Sequence, residues 1–261
     1  MALVAAAGLF VVWMLATYLL EGRIRTLLRP DDTAARLLYA LVANLAIGIG
    51  GAALLMRAAV RRSMRTAADA GLRGDRRTAV SLALGFALGG TLFVVQRPVT
   101  LAPAVLLNAF AQVWVVSVAE VLVCWVALGG AIGRLGGGSI GWRLMAWIAA
   151  AAAFAVYHFA HSPPFNTPEM VGLLAIVGLG TGGFYFTLRE VYGTIVFHNF
   201  LALQGVTRAL AESGRLEAAA SPEVPLLVTA LAVTTILILL DRLWIRRPSG
   251  SDRGFTSSPG V

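Results

Sequence analysis

Apolar runs about as long as a bilayer is thick recur along this chain, and that recurrence constrains its fold more than any other feature. A hydrocarbon core about 30 Å thick is crossed by roughly 20 helical residues. On that ruler eight spans are expected, at about 2–20, 37–58, 78–96, 103–130, 142–161, 170–188, 190–207 and 225–244. With 58% hydrophobic and 13% charged residues and a mean hydropathy of +0.80, the 261 residues carry far too little polar surface to coat a soluble globule. The expected fold class is all-α: a polytopic transmembrane helix bundle forming one domain over residues 1–247. The tail from Pro248 is polar and rich in Gly, Ser and Pro, so residues 248–261 read as disordered.

The formal net charge of +8 comes from arginine alone, since no lysine occurs. The arginines cluster between apolar runs and form no basic face with interleaved aromatics, which excludes a nucleic-acid partner and makes them topology signals. With eight spans, the even-numbered loops and the C-terminal tail hold fourteen arginines and the odd loops seven. Both termini are therefore expected in the cytoplasm, in the inner (plasma) membrane of a bacterium, with the lipid bilayer as the first partner. The first basic residue, Arg23, follows the first apolar run, so that run is expected to stay as an anchor and not to be cleaved. Cys124 is the single cysteine and excludes an intrachain disulfide. The glycine-rich stretch 129–141 reads as a loop, and the glycines at 47–51 and 178–183 as close helix packing.

Polar residues inside such runs need a partner or a task. Glu120 is the only acid between Asp75 and Glu169, set between VVSVA and VLVCW. A charged carboxylate there costs about 2.5–3.5 kcal/mol on insertion scales. The fourth tract is longer than the hydrocarbon is thick, so its first part, with Asn108 and Gln112, is expected at the interface or tilted, those two serving packing or a cavity. His158 and His161 lie three apart near the end of the fifth span, one able to face the bundle while the other meets the headgroups. His161, followed by SPPFNTP, is expected at the surface, whereas His198 lies deep in the seventh span. Glu120, His158 and His198, on three spans, could polarise a water and stabilise an oxyanion, or ligate a divalent metal such as zinc. One Glu and two His do not by themselves decide between a metal and none.

At these residues the chain resembles the CPBP family of intramembrane proteases, which includes the CAAX prenyl-protein endopeptidases and bacteriocin-processing (Abi) proteins. That family's pattern is Glu-Glu-x-x-x-Arg, then Phe-x-x-x-His, then His-x-x-x-Asn/Asp. Phe154-Ala-Val-Tyr-His158 matches the second motif, and GLGTGGFYFTLREVYGTIVFHNFLAL, Gly178 to Leu203, resembles the run that carries the third. The resemblance covers about residues 101–206. It implies an endopeptidase acting on a peptide or membrane protein, with Glu120 activating water and His158 and His198 steadying the carbonyl oxygen. Phe154, Asn199 and His161 would support them. Val121, Trp125 and Ala202 depart from the pattern, at the second Glu, the Arg and the Asn/Asp, and Asn199 is turned about 100° from His198. These losses imply weakened activity or, alternatively, an inactive binding scaffold or chaperone; a small transporter is a weaker third reading. Glu120 and His158 approach from one side of the membrane, which the arginine count makes external, and this argues against a prenylated substrate.

Overall fold

The computed structural model describes residues 1–62 and 66–246; the tail expected to be disordered lies outside them. Eight long helices are formed: α1 (Ala2–Gly22), α2 (Thr33–Arg61), α3 (Asp75–Val95), α4 (Pro103–Leu135), α5 (Ile140–Ala160), α6 (Pro168–Leu188), α7 (Val191–Glu212) and α8 (Val224–Ile245). Helix is the outcome because backbone N–H and C=O groups find no water in hydrocarbon and must pair within their own segment. Seven of the helical segments are long and apolar enough to cross a membrane. The exception, α7, has sufficient length at 22 residues but carries Thr194, His198, Asn199, Gln204 and Thr207, all buried. Its polar groups point inward, so it belongs to the bundle that the other helices shield. Lipid meets the exposed apolar faces instead, such as Val4, Val11 and Leu15 on α1 or Ile176 on α6.

Local chemistry sets the helix ends. Pro103 and Pro168 start α4 and α6, and the Thr167 hydroxyl accepts from the Met170 amide at 3.3 Å. Arg189 takes a left-handed conformation that ends α6, and the next residue, Glu190, caps α7 by accepting from the Gly193 amide at 2.7 Å.

The centre of the bundle is α4. Its apolar window is 83% buried, against 44% or less for the other spans. Val105, Asn108 and Ala109 are enclosed, so the first turns of the long tract pack against protein. The stretch expected as a loop from residue 129 is corrected: the helix runs on through Gly130–Leu135. Glycine does not stop a helix whose backbone has no alternative partner, and Gly129 brings α4 against Phe186 and Ala150. The actual turn lies at Gly137 and Gly138, whose φ values of 60° and 83° suit residues lacking a Cβ.

The glycine runs do pack helices closely: a Cβ on Gly48 would meet Ala119, and one on Gly182 would meet Trp147. A close backbone approach joins α3 and α7, where a Cβ on Gly193 would clash with the Ser81 hydroxyl and with the Ser81 carbonyl oxygen. Gly193→Ala must therefore push two helices apart, with an expected loss of about 1–3 kcal/mol. Gly180→Ala, at a position with nothing within 4 Å, is the control. Thermal unfolding in detergent compares them, and equal Tm values would refute the close-approach argument.

The connecting segments gather at two ends. At one, Arg215 donates to the Leu28 carbonyl at 2.6 Å, Thr33 to Glu223 at 3.2 Å and Gln204 to the Gln96 carbonyl at 3.4 Å. At the other, the Val191 amide donates to the Gly71 carbonyl at 3.0 Å, Arg73 to the Arg189 carbonyl at 3.1 Å and Arg246 to the Arg73 carbonyl at 2.7 Å.

Candidate functional site

Three helices bring a carboxylate and two imidazoles together in the interior. Glu120 stands on α4, His198 on α7 and His158 in the last turn of α5, each no more than 7% exposed. Glu120 Oε2 lies 2.8 Å from His198 Nε2, and Glu120 Oε1 lies 3.7 Å from His158 Nε2. The other ring nitrogens settle who donates. His158 Nδ1 is 2.8 Å from the Phe154 carbonyl oxygen, which can only accept, so Nδ1 carries a proton. In the neutral ring His158 Nε2 is then a lone pair, and it faces a carboxylate oxygen that is also an acceptor. His198 is engaged on both sides, with Thr181 Oγ1 2.9 Å from its Nδ1. As a donor to Glu120 from Nε2, neutral His198 accepts from Thr181 at Nδ1.

Aromatic rings hold this group in place. Trp125 and Phe154 meet the His198 ring edge-on, at centroid distances of 5.4 and 5.1 Å, and Phe154 also packs on His158 at 4.6 Å. Phe154 thus contributes both a carbonyl and a ring. Asn199 takes no part: its Oδ1 accepts from the Ser117 hydroxyl at 3.0 Å, almost a turn before Glu120 on α4. The helical rotation that separates Asn199 from His198 in sequence separates them in space. Asn108 and Gln112 lie outside the site too. Asn108 donates to the Ala219 and Ser221 carbonyls, and Gln112 accepts from Arg36 at 2.5 Å.

His161 is not at the surface; it is 3% exposed and stacks on His158 with centroids 5.0 Å apart and planes 17° from parallel. The reason is local: residues His158–Ala160 form a 3₁₀ turn, in which positions three apart eclipse one another, whereas on an α-helix they are offset by about 60°. The same turn brings His161 Nδ1 to 3.4 Å from Glu21 Oε2 on α1. Glu21 is fully buried and accepts from the Ser162 amide and hydroxyl, each at 2.7 Å.

The metal-capable group therefore differs from the one expected. Glu120, His158 and His161 each offer a ligand atom within 4.8 Å of the others, whereas the sequence pointed to His198 as the second histidine. Glu21 and Thr181 were not legible as site residues. Glu21 closes an apolar run and reads as its polar end, and Thr181 sits among glycines; only packing distinguishes them.

Above this group lies a cavity of about 170 Å³, reached by Glu120, His158, His161 and His198 and walled by apolar side chains including Val113, Val116, Leu173, Leu174 and Val177. Ala202 lies on its wall, and Leu27, Gln96, Pro164, Arg208 and Glu212 carry it toward the first of the two bundle ends.

No family model, curated protein sequence or solved structure matches the chain. What stands is a polytopic, all-helical membrane protein with a buried glutamate–histidine group that could form a site.

Proposed function

We propose that this protein is an intramembrane endopeptidase of the CPBP type, with Glu120 as the base. The observation that carries the reading is the 3.7 Å gap between Glu120 Oε1 and His158 Nε2, two acceptors facing each other on the floor of an apolar cavity. A water in that gap donates one hydrogen to each. Glu120 takes a proton as the water oxygen bonds to the peptide carbonyl carbon. It returns that proton to the leaving amine as the C–N bond breaks. His198, anchored by Thr181, holds Glu120 Oε2 so that Oε1 faces the water. This gives His158 a role in placing the water; it stabilises the carbonyl oxygen only as imidazolium, because its Nδ1 proton is committed to Phe154. A divalent ion such as zinc, when bound, would supply further activation of water, and Glu120, His158 and His161 would hold it. The substrate class is an extended, largely apolar peptide segment, by the chemistry of the cavity wall.

The test is cleavage of internally quenched apolar peptides by the purified protein in liposomes. Turnover that Glu120→Gln removes supports the reading; absence of turnover across a diverse peptide set sinks it. One observation favours a non-catalytic scaffold instead: Trp125 and Val121, both fully buried, stand where the family carries Arg and Glu. That alternative requires partner capture to survive Glu120→Gln.

The cavity points away from the arginine-rich end. The bundle end it approaches holds seven arginines and seven acids, and the other holds eleven arginines and four acids among the described residues. By the positive-inside rule the arginine-rich end and both termini are cytoplasmic, so substrates enter from the opposite face. In a Cys124→Ser background, Ser213→Cys is expected to react with an impermeant maleimide on intact cells, and Gly74→Cys only after permeabilisation. The reverse pattern overturns this orientation.

A further inference from the structure

We infer that Glu120, His158 and His161 form a binding site for one divalent transition-metal ion, with Glu21 as the carboxylate that orients His161. The inference deepens the hydrolytic reading, on which its functional meaning rests, and it departs from the set the sequence resemblance implies by replacing His198 with His161.

Four observations converge. The three ligand atoms lie within 4.8 Å of one another and are buried. His158 presents a lone pair at Nε2 because Nδ1 donates to the Phe154 carbonyl, and ligating histidines are characteristically held in this way through the ring nitrogen that does not bind the ion. His161 is 3% exposed, reaches the cavity, and has no hydrogen-bond partner at either ring nitrogen. An imidazole enclosed to that degree needs a partner; Glu21 Oε2, 3.4 Å from Nδ1, is an acceptor that favours the neutral tautomer protonated at Nδ1, which leaves the lone pair at Nε2. Glu21 itself is fixed by two hydrogen bonds from Ser162, so the carboxylate that faces the imidazole is held in place. His198 is the poorer ligand, since Glu120 and Thr181 occupy both of its nitrogens.

Two imidazoles and one carboxylate are the donor set of a three-ligand zinc site, with a further position left toward the cavity. Nitrogen donors favour zinc, cobalt or nickel over magnesium or calcium.

The experiment titrates the detergent-purified protein with Co²⁺, reading the visible absorbance of the bound ion, and with Zn²⁺ as competitor. One equivalent is expected. His161→Ala and Glu120→Gln should abolish the cobalt spectrum, His198→Gln should retain it, and Glu21→Gln should weaken affinity about 10–100-fold, as loss of an orienting partner does. If His161→Ala does not fold, Glu21→Gln decides, with unchanged affinity counting against the site. No stoichiometric cobalt in the wild type, or binding that needs His198 but not His161, overturns the proposal. Its failure is separable from that of the hydrolytic reading. Peptide cleavage by protein that takes up no stoichiometric cobalt would refute the metal site and leave the protease, and cobalt binding without cleavage would do the converse.

Discussion

Glu120→Gln is expected to lower kcat/KM for peptide cleavage about 10²–10⁴-fold, the range a positioned general base contributes. Glutamine nearly matches glutamate in shape, so its amide can still pair with His198 Nε2, the partner at 2.8 Å. Packing around Trp125 and Phe154 is thereby retained. What disappears is the capacity to take a proton at the atom facing His158. His198→Ala should act differently, because it leaves Glu120 Oε2 and Thr181 Oγ1 unpaired in a buried site and so reduces stability as well as rate. Initial rates in liposomes, with Tm measured on the same preparations, separate the two effects. A Glu120→Gln protein that cleaves at the wild-type rate would remove Glu120 from the mechanism.

The largest loss of stability is expected far from the site, at Glu223. Arg36 is 4% exposed, yet it carries a full charge, which it shares with Glu223 in an ion pair and with Gln112 Oε1 at 2.5 Å. Glu223 is tied down in turn, by the Thr33 hydroxyl at 3.2 Å and by Asn108, which accepts from its amide at 2.9 Å. Removing the acid leaves a buried guanidinium with neutral acceptors alone, Gln112 and the Pro30 carbonyl, a change that costs about 3–5 kcal/mol where such pairs have been broken. Glu223→Ala should therefore lower Tm sharply, and Glu223→Gln, which retains a hydrogen-bond acceptor, less so. A loss below about 1 kcal/mol would mean that water reaches the pair and that it behaves as a surface salt bridge.

Much of this architecture follows from linear sequence because a bilayer imposes a length. Eight spans were expected from apolar runs; eight long helices form among the described residues, with ends within a few residues of those read at most positions, but only seven are apolar enough to cross a membrane, α7 being the exception. Glu120, His158 and His198 were also legible, as each is an isolated polar group in a setting that penalises it. The glycine-rich stretch was read wrongly over residues 130–135, where α4 continues and Gly129 packs it against Phe186 and Ala150, and correctly from Gly136, where the chain turns.

The sequence by itself thus determined seven of the eight spans read from it, the asymmetry of arginines and the three polar residues that converge on one cavity. Tertiary structure alone decided which histidine joins Glu120 and His158 as a potential metal ligand. The difference rests on one turn of backbone: an α-helical His158–His161 segment would offset the two rings by about 60°, while the 3₁₀ turn stacks them and delivers His161 to Glu21, a residue 140 positions earlier in the chain. Periodicity in sequence records spacing along one helix; it holds no information about a carboxylate supplied by another.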